Sequence, residues 1–274
     1  MNVRRLGRIF GLPGRGNEIL AAGSLSSKSL VVFFPGDIQD YKEVMAQSPV
    51  YRKYADWSLD GVALKLAQRM PGRLILVCKP GESGGNGFAR YVNFVHCDGL
   101  GVPCFPSDRD AWLHLQNLLV ASFNALGIPP YSASHSTTLI GFSKGCVVLN
   151  QLIRRSPPPT DNLVGQSLDG VYLLDAGSGG QQDIYPLQEP ALRAFASLPR
   201  FKGFHLAVTD YQVSDEARPE IGREEAEFRS LLGRCGIPFT RSLLFPELPR
   251  SLLNHFRLID HFPVQGAGVP AVSL

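Results

Sequence analysis

"TTLIGFSKGCVVLN", residues Thr137 to Asn150, sets a serine between two glycines where an apolar, β-branched run gives way to an apolar helical one. The junction is Gly141-Phe142-Ser143-Lys144-Gly145, a G-x-S-x-G pattern. Between a strand and a helix this pattern reads as a nucleophile elbow. The turn is so sharp that the serine takes a strained backbone conformation. The residues two places to either side must then be small, or they collide with the neighbouring strands and the helix. That requirement accounts for Gly141 and Gly145. It also lifts the Ser143 hydroxyl to the carboxyl end of the strand, beside a helix N-terminus, where the N–H of Lys144 can help hold an oxyanion. A tight turn with an inert serine would carry the same five residues, so the rest of the chain has to supply the partners.

Working outward, similar apolar runs recur at intervals that leave room for a helix: Leu30–Phe34, Arg73–Cys78, Gly170–Asp175, Phe204–Asp210 and Phe239–Phe245. Continuous apolar runs without alternation mark strands buried on both faces, as in a parallel sheet. Amphipathic stretches lie between them. "WSLDGVALKLAQRM" places Val62, Leu64, Leu66 and Met70 near helical spacing, "DRDAWLHLQNLLVASFNALG" opens with acids and stops at Gly127, and "EIGREEAEFRSLLGRCG" sets Phe228, Leu231 and Leu232 on one stripe. The alternation predicts a single doubly wound, mostly parallel α/β sheet of the α/β-hydrolase type, with helices on both faces. Residues 30–262 read as that domain, 1–29 as a basic N-terminal segment or edge strands, and 263–274 as a loose tail. The loops Gly81–Gly87 and Ser156–Thr160 read as insertions on the rim of the site.

Composition fits a soluble globular chain: 274 residues, 44% hydrophobic and 19% charged, with a net charge of +3. No Lys/Arg run interleaved with aromatics points to nucleic acid, and no apolar run reaches the roughly 18 residues of a membrane span. The cysteines Cys78, Cys97, Cys104, Cys146 and Cys235 are odd in number and scattered, and there is no Asn-x-Ser/Thr sequon, which together suggest a reducing compartment. The N-terminus carries Arg4, Arg5, Arg8 and Arg15 before its first acid, Glu18. Such a segment reads either as matrix-targeting sequence or as an exposed first strand in which Leu6, Ile9 and Leu12 pack along an edge.

A working elbow needs three further parts. A second oxyanion donor is expected from the loop after an earlier strand, and Pro35-Gly36 in "VVFFPGDIQDY" allows the sharp turn, with the N–H of Asp37 or Ile38 aimed at the site. A histidine is expected after the last strand. His96, His114 and His135 precede the serine and His205 falls inside a strand, which leaves His255 and His261. His255, at the start of an apolar helical segment, is preferred. An acid is expected between serine and histidine. Asp175 ends one strand, Asp215 lies in the loop after the next, and the two stand level, with Asp210 third. Helix capping and loop turns are the ordinary uses of aspartates at such places. With these parts the imidazole takes the serine proton, the serine attacks an ester, thioester or amide carbonyl, and the acid fixes the tautomer. This chemistry calls for no metal or cofactor. Other constellations fail: "GSGGQQ" has Gln182 where a dinucleotide fingerprint needs glycine, "GESGGNG" lacks the following G-K-[ST] of a P-loop, and no His/Cys/Asp/Glu cluster has metal-ligand spacing.

Several stretches together carry a family resemblance: "FFPGDIQDY" (Phe33–Tyr41), "WSLDGVALKLAQRMP", "LIGFSKGCVVLNQL" (Leu139–Leu152), "YLLDAGSGG" (Tyr172–Gly180), "YQVSD" (Tyr211–Asp215) and "NHFR" (Asn254–Arg257). In these the chain resembles the uncharacterised, mitochondrial, α/β-hydrolase-like family of the vertebrate chromosome-two open-reading-frame sixty-nine protein. The resemblance runs from about residue 30 to residue 260. It implies a serine hydrolase fold, a mitochondrial site of action rather than a cytoplasmic one, Ser143 at the nucleophile position and His255 at the base position. Asp175 and Asp215 both fall in family motifs, so it does not choose between them. It implies no substrate. Family members begin with a long apolar and basic leader, whereas this sequence begins close to the start of their folded domain, which leaves import to the short Arg-rich N-terminus. The functional expectation is a serine hydrolase acting on a small acyl substrate. The alternative is a catalytically silent member of the fold that binds a protein partner.

Overall fold

The computed structural model describes residues 2–83, 87–105, 107 and 109–265. Strands β1 (Arg4–Leu12) and β2 (Arg15–Gly23) form an antiparallel hairpin, followed by β3 (Ser29–Phe34). Helix α1 (Lys42–Gln47), a 3₁₀ turn (Arg52–Trp57) and α2 (Leu59–Arg69) lead into β4 (Leu74–Cys78). A short ribbon of β5 (Glu82–Ser83) and β6 (Ala89–Arg90) precedes α3 (Ala111–Leu126). Then come β7 (Ser136–Phe142), a 3₁₀ turn (Ser143–Gly145), α4 (Cys146–Arg154), α5 (Leu163–Ser167) and β8 (Leu168–Leu174). The chain continues through α6 (Glu189–Ala196), β9 (Phe204–Thr209), α7 (Asp210–Val213), α8 (Pro219–Arg234), β10 (Phe239–Leu244) and α9 (Leu252–His261).

The main sheet has eight strands in the order β1-β2-β4-β3-β7-β8-β9-β10. From β4 to β10 every pairing is parallel, and the β1–β2 hairpin joins it antiparallel through β2 and β4. This is the mostly parallel sheet expected from the sequence. The reason for its unalternated apolar strands is visible in β3 and β4. Leu30, Val32 and Phe34 with Leu74, Leu76 and Cys78 face one core, alongside side chains of α3, α4, α6 and α8. Val31 and Phe33 with Ile75 and Val77 face a second core built from α2 and α9. Successive residues point to opposite faces, and both faces are covered, so every position is apolar.

Residues 4–23, read from the sequence as a basic segment or edge strands, form the edge hairpin. Leu6 and Ile9 both pack against the first core although they lie three residues apart. The register shift between Arg5 and Gly7 inserts one residue and resets the alternation, as a β-bulge does. Arg5 bonds both Glu43 and Asp60 and lies 4.1 Å over the Tyr41 ring, tying this edge to α1 and α2. Charged residues on β1 also protect an edge that would otherwise invite pairing. Of the two loops read as insertions on the rim of the site, Ser156–Thr160 instead follows the end of α4 and leads through α5 into the start of β8, at the amino end of the sheet, while residues 84–86 of the other lie outside the described residues, as does the tail beyond Gln265. No helix among the described residues is long and apolar enough to cross a membrane.

Candidate functional site

Ser143 stands at the end of β7 with φ 52°, a left-handed conformation that costs a non-glycine residue roughly 1–2 kcal/mol. The flanking glycines explain how the turn closes. A Cβ on Gly145 would sit 1.9 Å from the carbonyl oxygen of Phe34, and one on Gly141 would sit 2.9 Å from the backbone of Cys146. Only hydrogen fits at either place. Gly36 lies on the other side, where a Cβ would come within 2.8 Å of the Ser143 Cβ. Ser143 is partly exposed in an otherwise buried stretch from Thr137 to Ile153. Its hydroxyl makes no hydrogen bond to His255 in this structure.

His255 lies on α9, whose first turn is capped by the Ser251 hydroxyl accepting from Asn254 N–H. The helix is fixed from α2 and the turn before it. Trp57 Nε1 donates to Asp260 at 2.9 Å, Lys65 pairs with the same carboxylate at 2.8 Å, and Arg69 Nη1 donates to the carbonyl of Ile259 at 2.6 Å. Phe142 and Tyr211 lie against the imidazole, with ring centroids 4.5 and 5.1 Å away. The ring is nearly closed to solvent, and its Nδ1 lies 2.8 Å from Asp175 Oδ2.

Asp175 follows β8 with φ 45° and is fully buried. Its carboxylate accepts from Thr209 N–H at 2.6 Å and from the Thr209 hydroxyl at 2.5 Å, both at the end of β9. Gln212 on α7 donates from Nε2 to the Asp175 carbonyl at 3.1 Å. A buried carboxylate needs such donors to remain charged. Of the aspartates weighed from the sequence, the structure brings Asp175 to His255 and leaves the other two elsewhere. Asp215 bonds Arg218 at 2.8 Å and pairs with Arg250 at 3.1 Å, and Asp210 accepts from Ser214 at the start of α7. His261 packs edge-on to Phe245, away from these groups.

The loop after β3 divides its backbone donors. Gly36 N–H donates to Gln39 Oε1 at 2.7 Å and Ile38 N–H to the Gly87 carbonyl at 2.8 Å. Asp37 N–H has no acceptor among the described residues. Of the two donors expected from this loop, that of Ile38 is therefore engaged, and Gly36 contributes space beside the serine rather than a donor. Ile38 holds φ 61°, a costly conformation for a β-branched residue. Strained residues concentrated around one locus are characteristic of working sites. Lys144, second in the 3₁₀ turn, belongs to the first N–H groups of a helical segment, which have no intrahelical acceptor. Its side chain turns inward and donates to the Ser178 carbonyl. Burial pushes the Lys144 ammonium down from its usual range, opposed by the charge of Asp37. Burial raises the Asp37 carboxyl, opposed by Lys144 and by the N–H of Ala89.

Sequence reading did not single out Thr209, Gln212, Gln39 or the aromatic pair around His255. Thr209, the last residue of β9, offered the clearest signal, since a hydroxyl at a strand end one strand over from Asp175 can reach it. Among the described residues no group of three His, Cys, Asp or Glu side chains could hold a metal ion.

A family model described as C2orf69 matches residues 5–128 and 128–238. The mitochondrial protein C2orf69 homolog of Danio rerio is 36% identical over 249 residues, covering 85% of this chain and 72% of that protein. The mitochondrial protein C2orf69 of Homo sapiens is 32% identical over 286 residues, covering 85% of this chain and 74% of that protein. Among solved structures, the enterochelin esterase of Shigella flexneri superposes with a TM-score of 0.53 at 15% identity, over 95% of this chain and 58% of that one. At that identity the likeness speaks for the α/β-hydrolase fold alone.

Proposed function

The chain belongs to the C2orf69 family, and we propose that within that family's α/β-hydrolase fold it is a serine hydrolase that cleaves an ester or thioester. Ser143 is the nucleophile, His255 the base and Asp175 the acid. The observation that carries this is the 2.8 Å contact between His255 Nδ1 and a buried Asp175 carboxylate already bound by Thr209. That arrangement holds Nδ1 in the protonated form, and Nε2, with no hydrogen-bond partner among the described residues, is left to accept a proton. In the reaction Nε2 takes the Ser143 proton as Oγ bonds the substrate carbonyl carbon. The resulting oxyanion is held by the N–H groups of Asp37 and Lys144. As the tetrahedral intermediate collapses, the imidazolium returns the proton to the leaving alcohol or thiol, giving an acyl-enzyme. Water repeats the sequence and releases the acid. The names of the relatives, mitochondrial protein C2orf69 and its homologs, support a mitochondrial setting.

A second reading is a silent hydrolase-fold protein that binds a partner. It is favoured by the missing hydrogen bond between Ser143 and His255, although such bonds often tighten only when substrate binds. A fluorophosphonate probe separates the two readings. Hydrolysis predicts labelling of the wild type that is lost in Ser143→Ala and falls sharply in His255→Ala, with all three proteins folded. An unlabelled, folded wild type would favour the binding reading.

A further inference from the structure

Near the carboxyl end of β4 lies a cavity of about 380 Å³, between the start of β2, the β5–β6 ribbon and the approach to α3. Its lining includes Arg15, Arg90 and Arg109, and Glu82 is the one acid that lines it among the described residues. Glu82 pairs with Arg90 at 2.6 Å. Arg15 and Arg109 therefore lack an acidic partner among the described residues. Arg15 Nη1 and Arg109 Nε are also buried without a hydrogen-bond partner. Buried guanidinium donors are normally satisfied, so two of them beside one polar cavity call for an acceptor from outside the chain. Beneath them the backbone is firm: Asn93 Nδ2 donates to the Gly16 carbonyl at 2.9 Å and to Asn17 at 3.1 Å.

The cavity is joined to the serine site by one short hairpin. Cys97 lines the cavity and bridges to Pro103. Asp98 Oδ1 accepts from the N–H groups of Leu100 and Val102 at 2.9 Å, which stiffens the turn. The other side of the hairpin presents Val102 to Gly180, where a Cβ would meet Val102 at 2.8 Å, next to Gly179, which lies against the Lys144 ammonium. Contacts thus run from the cavity through the hairpin to the Lys144 side chain, one residue from Ser143.

We propose that this cavity is a phosphate-binding subsite, and that the acyl substrate of Ser143 carries a phosphate group seated among Arg15, Arg90 and Arg109. Planar guanidinium forks match phosphate oxygens two at a time, and a polar cavity whose described lining carries three guanidinium groups and one carboxylate selects an anion over an acyl chain. The substrate half of the proposal rests on the serine-hydrolase reading, but the anion site does not. Two sources share this chemistry: a phosphorylated thioester carrier such as coenzyme A, and a glycerophospholipid.

Calorimetric titration of the Ser143→Ala protein with inorganic pyrophosphate at low ionic strength tests the anion site without turnover. Saturable binding is expected, weakened at least tenfold by Arg15→Gln and, separately, by Arg109→Gln, with circular dichroism confirming each fold. No saturable heat, or equal affinity in both folded variants, overturns the site. With Ser143 intact, the same substitutions should lower kcat/KM for a phosphate-bearing substrate relative to a p-nitrophenyl ester at least tenfold. A loss confined to acyl-coenzyme A names the thioester source, and a loss confined to a lysophospholipid names the lipid. An unchanged ratio for both overturns the substrate half. Absence of all turnover overturns the hydrolase proposal and the substrate half with it, while calorimetry still decides the anion site.

Discussion

Asp175 and Asp215 sit in neighbouring strand-end loops and meet opposite fates. Asp175 is buried among neutral donors, and the one titratable group hydrogen-bonded to its carboxylate is the His255 imidazole. Asp215 is answered by two guanidinium groups, and its carboxyl is held below the usual range. Desolvation pushes that carboxyl up, and the hydrogen bonds from Arg218 and Ala217 outweigh it. A carboxylate already neutralised by arginine has little charge left to orient an imidazole. One held by neutral donors faces the histidine with no cation competing for it. What distinguishes the two aspartates is therefore the charge of their other partners, not their distance along the chain.

Asp175→Asn is the strongest way to break the comparison. An amide donates to Nδ1 or holds the wrong tautomer, and the fluorophosphonate labelling rate should fall by about 10³- to 10⁴-fold. Circular dichroism should show the fold kept. If Asp215→Asn gave the same loss, the assignment would be reversed. Thr209→Val sharpens the contrast by removing one neutral donor and keeping the side-chain shape. A hydrogen bond to a charged group contributes about 1.5–3 kcal/mol, so labelling should slow roughly tenfold or more, and Thr209→Ser should restore most of it.

The same contrast extends to imidazoles. His114, bound to Asn17 at 2.9 Å, and His205, bound to Thr240 at 2.9 Å, have neutral partners, and burial pushes each down to about 4. An unfolded histidine titrates near 6.5. Between pH 6.5 and 4 the unfolded chain binds protons that the native state refuses, so stability falls as pH falls through that window. The melting temperature should drop by a few degrees there, and His205→Gln should flatten part of the slope; a flat profile would count against both burials. The smallest effect is expected from Asp215→Asn at pH 7, a loss under about 1 kcal/mol in denaturant unfolding. Because this carboxyl titrates low in the native state, its contribution is present above the unfolded pKa and disappears as pH falls through the folded one. Wild type and variant should therefore converge only as pH falls below the ordinary carboxylate value of 3.8.

The strands around the elbow were legible because burial on both faces leaves no polar position to blur the pattern, as Val31 and Val32 show by facing opposite cores. The need for glycine on either side of Ser143 was legible for a related reason: contacts as close as that between Gly145 and Phe34 O admit no other residue. The choice of acid was not legible. Asp175 and Asp215 each follow a strand, and which loop meets α9 depends on where that helix settles, 80 residues from Asp175 along the chain. The edge strand was legible only as one of two readings, since the bulge after Arg5 places Leu6 and Ile9 on one side and imitates helical spacing. The arginine cavity could not be read at all, because Arg15, Arg90 and Arg109 come from three separate segments brought together only by the sheet order.

The clamp between α2 and α9 has a consequence for the order in which the protein is made. Trp57, Lys65 and Arg69 are in place before the elbow is synthesised, yet what they grip arrives only with Ile259 and Asp260. A nascent or cleaved chain that stops before residue 252 would keep Ser143 and lose His255 together with the latch that positions it. On the proposed mechanism, hydrolysis is thus withheld until synthesis has passed the final helix, and a partly made chain cannot attack the acyl groups it meets.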